Sequence, residues 1–174
     1  MVDFESVSDQ PSKITGLSHG ADAYLSKPFN KEELLVRMEK LIELRHQLQL
    51  RYKKPGSLPA VMQAKADNPE ELFLQKVIRI VEANLADEDF GMHELCRAVN
   101  MSRSHLFRKL KAITGKSTTV FIRTLRLEKA KELLLTTDLN VSEVAYNVGF
   151  NNPKYFSRVF VEEFGVAPSE VRKG

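Results

Sequence analysis

Apolar residues in the second half of the chain recur at helical spacing. Leu74, Val77, Ile78, Val81 and Leu85 fall at i, i+3, i+4, i+7 and i+11, one face of an amphipathic helix. Its start is marked by Asn68 as a cap, Pro69 at the first helical position and Glu71 at the third. Asp87-Glu88-Asp89 stops it. From there the pattern reads as helices with short breaks, and no strand is expected after residue 70. Gly115, Gly149 and Gly165 each follow a helical stretch, where glycine relieves a left-handed end. Upstream, Leu34, Leu41 and Leu48 stand seven apart with Leu44 between them, which predicts a helix over 30–52 with a narrow apolar seam. Asn30 and Glu33 form a capping-box pattern at its start. Arg37 and Arg51 interrupt the seam and argue against a long coiled coil. Residues 53–67, with Pro55, Gly56 and Pro59, lack periodicity and read as a linker. Ala23-Tyr24-Leu25 is a candidate short strand.

Two stretches of about 25 residues repeat one pattern. The first runs from Glu94 to Asn100, Met101 and Ser102, then through Leu106, Arg108 and Leu110 to Gly115. The second runs from Glu143 to Gly149, Phe150 and Asn151, then through Phe156, Arg158 and Phe160 to Gly165. The second half of the later copy carries one extra residue near Pro153. Each copy offers a short helix with two aliphatics four apart (Leu95/Val99, Val144/Val148) and a small residue (Cys96, Ala145) for close approach. A turn follows, plugged by Met101 or Phe150, and then a capping residue, Ser102 or Asn151. A second helix buries Leu106, Leu110 and Ile113, or Phe156, Val159 and Phe160. This is the helix-turn-helix pattern, whose second helix can enter the DNA major groove. Between the copies a helix over about 118–135, capped by Thr118 or Thr119, buries Leu127, Ala130 and Leu134. At ~1.5 Å per residue it spans roughly 25 Å. It could hold two recognition helices about one DNA turn, ~34 Å, apart.

Charge sharpens this picture. The formal net charge is only +3, but residues 103–131 hold nine basic residues (Arg103, Arg108, Lys109, Lys111, Lys116, Arg123, Arg126, Lys129, Lys131) against one acid, Glu128. A local basic block suits a polyanion, because local potential steers binding; its bland alternative is a solvated helix face. Arg103, Ser104 and His105 fall in the first turn of the first recognition helix, where side chains reach base edges. Asn152, Lys154 and Ser157 hold the matching face of the second. Arg108 and Arg158 occupy equivalent places in the two copies, suited either to a phosphate or to an internal salt bridge. Lys109, Lys111 and Lys116 are generic phosphate candidates.

The segment 70–174 resembles the DNA-binding domain of the AraC/XylS family. The stretch from Val141 through Gly149-Phe150-Asn151-Asn152-Pro153 to Arg158-Val159-Phe160, with Phe164-Gly165-Val166-Ala167-Pro168, carries the resemblance. Val161 departs from it where lysine is common, and Cys96 where alanine is common. Residues 16–52, on the stretch from Gly16-Leu17 through Gly20-Ala21-Asp22-Ala23-Tyr24-Leu25-Ser26-Lys27-Pro28-Phe29 and on Glu33-Leu34-Leu35-Val36-Arg37, resemble the end of a response-regulator receiver domain. That resemblance implies a phosphate-contact role for Lys27 and a switch role for Tyr24. The acceptor aspartate and first strands of such a receiver are not in this sequence, so the chain is not expected to take up a phosphoryl group itself.

The expected fold is mainly α: two helix-turn-helix subdomains joined by a central helix, preceded by an incomplete α/β receiver remnant. The expected division is 1–52 receiver remnant, 53–67 linker and 68–174 DNA-binding domain, with units at about 91–115 and 141–165. The expected function is a sequence-specific transcription regulator, the output part of a two-component phosphorelay. The alternative is a dimerisation or protein-interaction fragment without regulated DNA binding. Expected partners are double-stranded promoter DNA, a second copy as homodimer, RNA polymerase, and a histidine kinase or receiver. No enzymatic activity is expected, because no nucleophile, base and orienting acid group together. No cofactor or metal is expected: Gly115-Lys116-Ser117 lacks the first glycine of a phosphate loop and follows a helix, and His93 with Cys96 makes one ligand pair without a second. One cysteine suggests a reducing, cytoplasmic setting. No apolar run approaches the ~20 residues of a membrane span, so no membrane contact is expected.

Overall fold

The computed structural model describes residues 30–52, 66 and 68–171, and every element among them is a helix. The candidate strand Ala23–Leu25, together with Tyr24 and Lys27, lies outside the described residues. Helix α1 (Lys31–Tyr52) starts where Asn30 Oδ1 accepts the Glu32 N–H at 2.9 Å. Glu33 ion-pairs with Arg37 one turn on. Of the predicted seam, Leu34, Leu41 and Leu44 are half-buried and Leu48 is buried. Helix α2 (Pro69–Ala83) begins as its sequence dictates. Asn68 Oδ1 accepts the Glu71 N–H, Pro69 needs no partner, and Glu70 and Glu71 sit in the first turn, where negative charge is favoured. Those two carboxylates also receive α1: Arg45 reaches Glu70 at 3.1 Å and Arg51 reaches Glu71 at 3.2 Å.

The first helix-turn-helix unit is α3 (Met92–Val99) and α4 (Arg103–Thr114). Leu95, Cys96 and Val99 from α3, and Leu106, Leu110 and Ile113 from α4, are buried against Leu74, Val77, Ile78 and Val81 of α2. Leu48 of α1 belongs to the same cluster, and Gln49 donates to the carbonyls of Lys111 (3.3 Å) and Ala112 (2.7 Å). Both carbonyls lie in the last turn of α4, where intrahelical partners run out; that of Lys111 also accepts the N–H of Gly115 at 3.0 Å.

Helix α5 (Thr118–Thr136) joins the two units. Its first half gives Phe121, Ile122 and Leu125 to the first cluster; its second half gives Leu127, Ala130 and Leu134 to another. Its cap is Ser117, whose Oγ accepts the Val120 N–H, rather than Thr118 or Thr119. Gly115 ends α4 and the chain turns at once, so the first extended residue is 117; Thr118 is already inside and fully buried.

The second unit is α6 (Val141–Asn147) and α7 (Pro153–Phe164), closed by α8 (Pro168–Val171). Its cluster is aromatic. Ring centroids of Phe150–Phe156, Phe156–Phe160 and Phe160–Phe164 stand 5.2, 5.5 and 4.7 Å apart in tilted or edge geometry. Burying one such ring contributes about 1.5–3 kcal/mol. The cap of α7 is Asn152, not Asn151. Pro153 takes the first helical position, so the cap falls on the residue before it, and Asn152 Oδ1 accepts the N–H groups of Lys154 and Tyr155.

The turns of the two copies solve one problem differently. Asn100 and Gly149 occupy equivalent places, and both are left-handed, at φ 56° and 77°. Asparagine tolerates that region. Gly149 is further constrained, because a Cβ there would stand 2.4 Å from the Leu85 carbonyl oxygen.

Candidate nucleic-acid interface

Packing of α4 leaves one side free. Arg103, Ser104, Phe107, Arg108 and Lys111 are exposed along it, and His105 is half-buried at its edge. The matching side of α7 exposes Asn152, Lys154, Tyr155, Arg158 and Val161. Ser157 is half-buried and donates to the Pro153 carbonyl at 2.9 Å. Aligning the helices puts Ser104 with Lys154, Arg108 with Arg158 and Lys111 with Val161. Both free faces therefore carry an arginine at the same place, and only the first also carries Arg103 and Lys111.

Neither matched arginine is consumed by the fold. Arg108 Nε donates to the Ser104 carbonyl at 3.3 Å and forms no ion pair among the described residues. Arg158 Nε stands 3.9 Å from Glu162 Oε1, with both side chains more than half exposed, and its guanidinium lies 5.2 Å from the Tyr155 ring centre. Exposed pairs of this kind contribute about 0–1 kcal/mol. Both guanidiniums remain available to an outside anion.

The rest of the basic block divides. Lys109 does not face solvent and is corrected as a phosphate candidate: it is 6% exposed, 4.0 Å from Glu70 Oε2, and its Nζ lies 4.9 Å from the Phe73 ring centre. The repeat carries a signal for this, because Lys109 aligns with Val159, a core position. Lys116 also turns inward, to Thr124 Oγ1 at 3.0 Å and Glu163 Oε1 at 3.3 Å. Arg126 donates to three backbone carbonyls: Gly149 (3.1 Å), Asp87 (2.6 Å) and Phe90 (3.1 Å). Burial pushes its guanidinium pKa down and the nearby Asp87 charge opposes that. Arg123 Nη1 reaches the Tyr155 hydroxyl at 3.4 Å, and Lys129 pairs with Glu132. The raw charge count thus overstates the surface charge. Arg103, Arg108 and Lys111 remain as an exposed basic edge on α4.

Cys96 is buried, and desolvation raises its thiol pKa, with Arg103 opposing. His93 Nδ1 sits 3.0 Å from Glu94. Among the described residues no three metal-type ligands come together, and no helix is long and apolar enough to cross a membrane.

Comparison with known proteins adds to this geometry. The helix-turn-helix domain family matches residues 95–174. Histidine kinase P4 of Formosa agariphila is 37% identical over 158 residues, which covers 91% of this chain and 12% of the kinase. The C-terminal domain of AraT, a response regulator from Geobacillus stearothermophilus, superposes with a TM-score of 0.53 at 30% identity. That match covers 57% of this chain and 82% of the AraT domain. A transcriptional regulator of the AraC-type DNA-binding class from Chromobacterium violaceum gives a TM-score of 0.54 at 26% identity, covering 56% and 87%.

Proposed function

Because this chain belongs to the AraC-type helix-turn-helix family through its C-terminal helices, we propose that it is a sequence-specific transcription regulator that reads promoter DNA with α4 and α7. The observation that carries the reading is the pair of free helix faces with Arg108 and Arg158 at matched places. Arg103, Ser104 and His105 would meet base edges in one major groove, with Arg103 suited to guanine. Asn152, Lys154 and Ser157 would face the next groove, although Asn152 also spends its side-chain oxygen on the cap. Arg108, Lys111 and Arg158 would meet phosphates. Anisotropy titration against duplexes enriched from a random library, at several salt concentrations, tests this. Tight binding that weakens steeply with salt is expected; no binding at low salt, or binding without a salt slope, refutes it.

The two-component setting has its own support. The similarity to the kinase spans 158 residues, more than lie between 68 and 174, so it continues into the segment before the DNA-binding helices. This favours reading 1–52 as the end of a receiver and 53–67 as a linker, with Lys27 and Tyr24 in the phosphate-contact and switch places. Dimerisation, contact with RNA polymerase and control by a histidine kinase or receiver partner, all in the cytoplasm, complete the proposal. Sizing by light scattering with and without operator DNA tests the dimer. Self-association that persists in a chain unable to bind any duplex would favour an interaction fragment instead.

A further inference from the structure

Among the described residues, the two units share no buried apolar cluster. The buried residues form two clusters, and α5 is the element that contributes to both, changing allegiance between Leu125 and Leu127. Two polar brackets cross that junction.

The first joins the far ends of the recognition helices. Lys116 follows Gly115, the cap of α4, and its own N–H is held by Thr114 Oγ1 at 3.2 Å. Its Nζ donates to Thr124 on α5 and to Glu163 in the last turn of α7. Lys116 and Glu163 side chains are each 20% exposed, so the pair is largely shielded from solvent. Thr124 is itself anchored to the Val120 carbonyl at 3.0 Å. The second bracket is Arg126, two residues further along α5. It clasps the carbonyls of Asp87 and Phe90, in the loop entering the first unit, and of Gly149, in the turn of the second. Glu163 aligns with Ile113 of the first copy. The second unit thus carries a charge where the first carries a core aliphatic, and that charge serves the contact between units. Shielded polar pairs are well suited to setting register, since misaligned partners leave a charge unpaired.

We propose that Lys116, Glu163 and Arg126 are positioning residues that lock α4 and α7 at one spacing and rotation, so that the protein accepts bipartite DNA sites of a single spacing. This rests on the DNA-reading function proposed above. One extra base pair moves the second half-site by ~3.4 Å and ~34°, which a locked reader cannot follow and a loosened one can.

The test selects random-sequence duplexes with the 174-residue chain, then with Lys116→Ala, Glu163→Gln and the reciprocal Lys116→Glu/Glu163→Lys. The native chain is expected to enrich one spacing, at least about tenfold over neighbours one base pair longer or shorter. The single variants should enrich the same half-sites with neighbouring spacings within about threefold, and the reciprocal variant should narrow the distribution again. Unchanged single spacing in the variants overturns the proposal. The lock is also measured without DNA, by spin labels at Lys111→Cys and Val161→Cys in a Cys96→Ala background. The distance distribution should be narrow with Lys116 present and broad with Lys116→Ala; equal widths overturn the proposal. A native chain that enriches no duplex refutes the DNA-reading function, while the spin labels still decide the lock. Circular dichroism confirms that each variant is folded.

Discussion

Replacing Gly149 by alanine probes the join between the units at a single carbon. The native residue sits at φ 77°, where an L side chain costs about 1–2 kcal/mol. The new Cβ would stand 2.4 Å from the Leu85 carbonyl oxygen and 3.0 Å from the Arg126 guanidinium. The chain must move, and such overpacking costs about 1–3 kcal/mol. Movement also stretches the 3.1 Å bond from Arg126 to the Gly149 carbonyl, a charged hydrogen bond of a class contributing about 1.5–3 kcal/mol. The loss should total about 3.5–8 kcal/mol, a large part of the 5–15 kcal/mol typical of a domain. Gly115 and Gly165 are the controls. They have nearly the same φ, 75° and 74°, but a Cβ at either would meet nothing within 4 Å, so alanine there should cost only about 1–2 kcal/mol. Urea unfolding followed by circular dichroism compares the three. Equal losses at all three positions would refute the argument from close approach and leave only backbone strain.

Other substitutions separate structural from DNA-facing charge. Arg108→Ala should lower the salt slope of DNA binding by about one, with stability within about 0.5 kcal/mol of native. Lys109→Ala should leave the slope unchanged and cost about 1–3 kcal/mol in urea unfolding, because it strips a partner from the buried Glu70. Arg103→Ala should cost about 1–3 kcal/mol of binding at one base position and relax the preference there in a binding selection. Cys96 should react slowly with a disulfide reagent near neutral pH, since burial shields the thiol and raises its pKa. Urea should make the reaction fast; a fast native reaction contradicts the packing of α3.

Helix starts and ends were legible in the sequence wherever a local rule governs them, as at Asn68-Pro69 and at Gly115 and Gly165. They slipped where two residues competed for one role. Asn151 and Asn152 are both good caps, and Pro153 decides between them; Ser117 precedes two threonines that look equally able. The apolar faces of both copies were readable because buried positions repeat at helical spacing. The exposed faces of α4 and α7 were readable in part, for the same reason in reverse. Lys109 was misjudged from charge alone, although Val159 marks its place as inward. Lys116, Glu163 and Arg126 were beyond sequence reasoning as a set: their partners lie far along the chain, and the acceptors of Arg126 are backbone carbonyls that carry no residue identity. The docking of α1 onto α4 was hidden for the same reason, since Gln49 reads carbonyl oxygens.

That docking bears on the order in which the chain can assemble. Gln49 and Ala112 are separated by 63 residues. At a synthesis rate of ~5–20 residues per second, the helix carrying Leu48 leaves the ribosome several seconds before the surface that covers it. Most of a helix's stability in a protein comes from the packing of its apolar face, so α1 gains that part late, when α4 arrives.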